Sequence, residues 1–74
     1  MQGIYDRKGE LFAYLEGDRL YTLEGELSGR VEGDFIRDLG GKAIWRIIGD
    51  GIFTADAVDD IGYIGAPAPN YLDQ

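Results

Sequence analysis

The chain contains no cysteine and no histidine. A disulfide framework is therefore excluded, and so are zinc sites built from thiolate and imidazole. Ser28 is the only serine, and without histidine neither a Ser–His nor a Cys–His nucleophile pair can form. Proline occurs twice and tryptophan once. No apolar run approaches the roughly 20 residues of a bilayer-spanning helix. Positive charge is scarce, with seven basic residues against fourteen acidic ones and a formal charge of −7. Duplex nucleic acid and anionic membranes are bound through clustered positive charge, so neither is an expected partner. The opening Met1-Gln2-Gly3-Ile4-Tyr5 has no basic stretch leading into an apolar one. A soluble, cytoplasmic protein without a secretory signal is expected. At 74 residues there is room for one domain with a thin core. Lacking disulfides, such a domain gains most from a partner subunit.

Glycine, by contrast, is abundant, with twelve copies. Its spacing reveals an internal repeat. Ile4, Leu20, Ile36 and Ile52 lie 16 residues apart, and Gly17, Gly33, Gly49 and Gly65 keep the same interval. So do Gly9, Gly25 and Gly41, in register with the alternating column Asp6, Thr22, Asp38, Thr54. A period of 16 is too short for paired-helix repeats and suits two short strands joined by two tight turns. In Asp6-Arg7-Lys8-Gly9, Thr22-Leu23-Glu24-Gly25 and Asp38-Leu39-Gly40-Gly41, the first side chain accepts a backbone hydrogen bond and the glycine takes the left-handed closing position. Gly17-Asp18, Gly33-Asp34 and Gly49-Asp50 have the glycine-first order of a type II′ hairpin.

The turns assign faces. A two-residue loop pairs Leu15 with Leu20, and a four-residue loop pairs Ile4 with Leu11. Alternation then puts Ile4, Leu11, Ala13 and Leu15 on an inner face, followed by Leu20, Leu27, Gly29 and Val31. The third copy supplies Ile36, Ala43, Trp45 and Ile47. In the column Ala13, Gly29, Trp45, the large ring is read as filler for space left by the two small residues. The fourth copy departs from the pattern. Ala57 replaces the turn glycine, and Asp56-Ala57-Val58-Asp59-Asp60 holds one extra residue, so a longer and different turn is expected. The prediction is an all-β fold of four tandem 16-residue β-hairpin repeats in an antiparallel meander. The repeats run 4–19, 20–35, 36–51 and 52–65 within a single domain, 1–65. Residues 66–74, opening Ala66-Pro67-Ala68-Pro69, form a Pro-rich extended tail that cannot join the ladder interior.

The units Ile4-Tyr5-Asp6-Arg7-Lys8-Gly9 with Ala13-Tyr14-Leu15, and Ile61-Gly62-Tyr63-Ile64-Gly65, resemble the repeats of 4-fold β-flower proteins over about residues 3 to 65. The resemblance implies four hairpin petals closed around an axis with pseudo-fourfold symmetry. It supplies no catalytic residues to carry over, and the family's members are largely of unknown function.

The opposite strand face is the candidate site. Alternation gives it Tyr5, Phe12, Tyr14, Tyr21 and Arg30, then Arg37, Ile44, Arg46, Phe53 and Tyr63, with Ile61 alongside. Tyr14 is expected opposite Tyr21, Arg30 opposite Arg37, and Arg46 opposite Phe53. Tyr, Phe and Arg are enriched in protein interfaces, so self-association through this face is the leading expectation. The alternative is a small-molecule or glycan site using the same aromatics by stacking and cation–π contact. Opposed arginines demand acids or an anion, and Glu26, Glu32 or Asp34 are the expected balance. Asp56, Asp59 and Asp60 lack the spacing of a calcium loop and are read as a solvated turn. The Asp6/Thr22/Asp38/Thr54 column is read as turn capping. A carboxylate pair, the remaining route to hydrolysis, needs a cleft that a domain this small does not offer. No enzymatic activity, metal or cofactor is expected.

Overall fold

The computed structural model describes residues 1–67. Eight strands follow one another: β1 Gln2–Asp6, β2 Leu11–Glu16, β3 Arg19–Tyr21, β4 Leu27–Glu32, β5 Phe35–Asp38, β6 Ala43–Ile48, β7 Gly51–Thr54 and β8 Asp60–Pro67. Each pairs antiparallel with its sequence neighbours, and β1 also pairs with β8, so the meander closes into a barrel. Closure removes the exposed sheet edges that would invite aggregation. No helix of the described residues is long and apolar enough to cross a membrane.

The turns form as the repeat dictates. Gly17, Gly33 and Gly49 have φ of 60°, 60° and 61°, while the aspartates after them stay at negative φ, the signature of a type II′ turn. At the other end the Gly9 amide donates to the Asp6 carbonyl at 2.9 Å, and Gly25 and Gly41 repeat the contact. The capping column behaves as its chemistry requires. Asp6 Oδ1 accepts from the amides of Lys8 and Glu10, and Asp38 Oδ1 from those of Gly40 and Lys42. Thr22 Oγ1 accepts from the Glu26 amide.

Ile4, Ile36 and Ile52 have no exposed surface, and Leu20 retains 2%. Burying side chains of this size stabilises by roughly 1.5–3 kcal/mol each. Ala13 and Leu15 complete the buried core, with Val31, Ile47 and Ile64 packed against it. The expected pairing of Leu15 with Leu20 is present.

The register at the other turn differs from expectation. Asp6 bonds to Glu10 across a loop of three residues rather than four, closed by left-handed Gly9. That shift puts Leu11 opposite Tyr5, away from the core, and a β-bulge then restores the register so that Ile4 faces Ala13. The same bulge follows in every petal, leaving Phe12, Ser28, Ile44 and Ile61 as the extra residues. Phe12, Ile44 and Ile61 pack on the core instead of the outer face, while Leu27 is exposed. A bulge makes two consecutive residues share one partner, which breaks strict alternation. Trp45 is half-buried against the core, with its ring edge-on to Phe12 at 5.8 Å and 85°.

Two close approaches explain small residues in the column of Trp45. A Cβ on Gly62 would collide with the Tyr5 carbonyl oxygen, and one on Gly29 with the Arg37 carbonyl oxygen. The fourth turn keeps its left-handed residue despite the substitution. Ala57 has φ 63° and donates its amide to the Thr54 carbonyl at 2.7 Å, so the longer turn does not relieve the strain. The added length is taken up after it, where the Thr54 amide reaches Asp59 instead of the position equivalent to Glu10. β8 also runs further than expected, with Pro67 opposite Gln2 after a register shift. Proline is tolerated at such a strand end. The rest of the expected tail, 68–74, lies outside the described residues.

Gly62→Ala is expected to destabilise by about 3 kcal/mol in denaturant unfolding, because a backbone carbonyl cannot move aside. Gly17→Ala, in open space, is expected to lose only about 1 kcal/mol from left-handed strain. Ala57→Gly is expected to gain roughly 0.5–1 kcal/mol, seen as a Tm rise of about 2–8 °C for a domain of this size. Asp56 caps the same turn, accepting from the Thr54 hydroxyl at 2.6 Å and the Val58 amide at 3.1 Å. These bonds, the hydroxyl first, hold its carboxyl below the ordinary 3.8. The stabilisation is present above the unfolded-state value and is lost as pH falls through the folded one. An NMR titration of the Asp56 carboxyl is expected to show a midpoint under 3.8, and a midpoint above it would contradict the cap.

Candidate functional site

The outer surface is organised by the cross-strand pairs that alternation anticipates. Tyr14 faces Tyr21, Arg30 faces Arg37, and Arg46 faces Phe53. Closure of the barrel adds a fourth pair, Tyr5 with Tyr63, whose rings stack at 5.4 Å and 17°. Glycines make room for this layer. A Cβ on Gly65 would lie 2.5 Å from the Tyr5 ring, and one on Gly51 would lie 2.7 Å from the Phe53 ring. The Tyr5 and Phe53 rings therefore lie down over bare backbone. Tyr5 and Phe53 are half-buried, as are Tyr14 and Tyr21, while Tyr63 stays 44% exposed.

Eight of the ten expected residues share this belt, and Phe12 and Ile44 leave it for the core at the bulges described above. Phe35 and Arg19 are additional members. Phe35 faces Arg46 across the ladder, and the guanidinium carbons of Arg46 and Arg37 lie 5.4 and 6.0 Å from its ring centre. The signal was present in the sequence, since a residue preceding buried Ile36 in a strand must point outward. Arg19 stands opposite Arg30, which stands opposite Arg37, so three arginines line up across three strands.

The charge balance of this row is incomplete. Arg37 Nε lies 2.7 Å from Glu32 Oε1, off the direction of the N–H bond, and Arg37 Nη1 donates to the Gly41 carbonyl at 3.0 Å. This is the only side-chain ion pair among the described residues; the other pair joins the Met1 amino group to Glu16. Arg46 Nε is buried and has no hydrogen-bond partner. Glu32 thus supplies the expected balance for one arginine, and neither Glu26 nor Asp34 does so for the others. Like charges directly opposite each other are destabilising, so a row of this kind favours an incoming anion.

A second feature opens at one end of the barrel. β3 stops at Tyr21, whereas β5 and β7 continue to Asp38 and Thr54, so the ladder between β2 and β3 ends before Thr22. A cavity of about 260 Å³ lies at this opening. Buried Ala13 and Leu20 form its floor, Phe12, Ser28 and Trp45 its walls, and the turn carrying Glu24 its rim. Its origin is a local lack of volume. Petal two offers Ser28-Gly29 where the others offer Phe12-Ala13, Ile44-Trp45 and Ile61-Gly62.

Among the described residues no group of three or more His, Cys, Asp or Glu is placed to hold a metal ion. Asp56 is engaged in its own turn with Thr54 and Val58.

A family model described as 4-fold beta flower protein matches residues 1–57. No curated protein and no solved structure matches the chain. The match ends at Ala57, the residue at which the fourth turn departs from the repeat. Four bulged hairpins in a closed barrel, together with a match over most of its length, place this chain in the 4-fold beta flower protein family.

Proposed function

We propose that the protein is a non-catalytic interaction module that self-associates through its outer aromatic–arginine belt. The observation that carries this reading is the row Arg19, Arg30, Arg37, in register across three strands and paired with a single acid. In a chain of net charge −7 the acids that complete this row are plentiful on any second copy. A symmetric contact therefore brings together positive and negative surface from identical chains.

The aromatic part of the belt supports the same conclusion. The outer side of an antiparallel barrel that meets only water normally carries small polar and charged side chains. Here it carries the Tyr5–Tyr63 stack and the Phe35–Arg46 contact, groups typical of interface centres. A standard contact buries about 800 Å² per partner, one sixth of the chain's 4944 Å². Burial on that scale would supplement a core with six buried apolar side chains.

Light scattering or sedimentation across micromolar concentrations is expected to detect a dimer or larger assembly. Raised salt is expected to weaken it, because exposed arginine–carboxylate contacts are screened. Arg30→Glu with Tyr63→Glu is expected to yield folded monomers, since both side chains are exposed. A wild-type chain that stays monomeric at every concentration would overturn the reading.

A further inference from the structure

We propose that the cavity between β2 and β3 is a binding site for a compact aromatic amine. Its size fits one such molecule. An aliphatic cavity of about 150 Å³ accepts a benzene ring, and the 260 Å³ here leaves room for a ring with a short side arm. Its lining discriminates among aromatics. Trp45 and Phe12 stand edge-to-face at 5.8 Å, and both line the cavity. They offer an aromatic guest the offset and perpendicular contacts that rings prefer.

Polar groups are few and one-sided. Ser28 Oγ lies 3.5 Å from the Leu20 carbonyl, a long contact that leaves its lone pairs available. The rim is the turn Thr22-Leu23-Glu24-Gly25-Glu26, of which Thr22, Leu23 and Glu24 line the cavity; Glu24 is the carboxylate there, and the turn has no basic residue. The equivalent turns of petals one and three carry Arg7-Lys8 and Lys42. An ammonium group at this rim meets Glu24 and the electron-rich faces of the rings, while a carboxylate is repelled. The site occupies the single petal where the bulge residue is small and polar, so it is not repeated around the barrel. One ligand per chain follows.

Trp45 is the only tryptophan, so selective excitation reports on this cavity alone. Titration of the full chain with phenethylamine is expected to change Trp45 emission saturably with one site, and phenylacetate is expected to bind several-fold more weakly. Ser28→Ile, which gives petal two the side chain petal three already has at Ile44, is expected to keep or raise Tm and to abolish the saturable signal. Glu24→Gln, at an exposed rim, is expected to weaken phenethylamine about two- to fivefold and to leave neutral benzyl alcohol unaffected. An unsaturable response, or one that persists in folded Ser28→Ile, would overturn the site. Equal binding of phenylacetate and phenethylamine would overturn the assignment of an amine. The titration reads the cavity whether or not the outer belt holds copies together.

Discussion

One extra residue in each even-numbered strand sets the arrangement of everything else. A loop of four residues would put Leu11, Leu27 and Ala43 opposite Ile4, Leu20 and Ile36 on the core side, but left-handed glycine closes a loop of three. The loop instead places them opposite Tyr5, Tyr21 and Arg37, and the bulge immediately after returns Ala13, Gly29 and Trp45 to the core. Bulges also bend a strand and increase its twist. Eight strands of three to eight residues close on themselves with four such bends, one per petal. The inner column Ile4, Leu20, Ile36, Ile52 is buried inside this closed barrel.

The bulge also divides the molecule into two chemically different regions. Inward, it delivers Phe12, Ile44 and Ile61 to the open end of the core, and it delivers Ser28 where a fourth apolar side chain would complete the ring. Dense packing fails at that point, and a cavity results. Outward, the two-residue turns set Tyr21, Arg37 and Phe53 opposite Tyr14, Arg30 and Arg46, barrel closure sets Tyr5 opposite Tyr63, and these pairs build the belt. Neither region depends on the other for its geometry.

Much of this was legible in the sequence. The period, both turn types, the capping role of Asp6 and Asp38, the central column of Ile4 and the cross-strand pairs of Tyr14, Arg30 and Arg46 follow from local rules that the structure obeys. The placement of Phe12 and Ile44 was not, because a loop of three residues and one of four share the sequence Asp6-Arg7-Lys8-Gly9. The difference lies in whether Asp6 itself joins the ladder. The longer fourth turn was legible from its extra residue, whereas the left-handed Ala57 was not: the hydrogen bond to Thr54 and the caps from Thr54 and Asp56 hold that conformation. Phe35 was readable by alternation and completes the arginine contacts of the belt. The cavity requires comparing side-chain volumes at the bulge column, which becomes meaningful only once that column is known to face inward.

The account turns on the register beside each bulge, and a NOESY spectrum of the folded chain reads that register directly. It predicts contacts from Ile4 to Ala13 on one side and to Ile64 on the other, with the Phe12 ring against Trp45. Contacts placing Ile4 opposite Leu11, with the Phe12 ring free of the core, would contradict it.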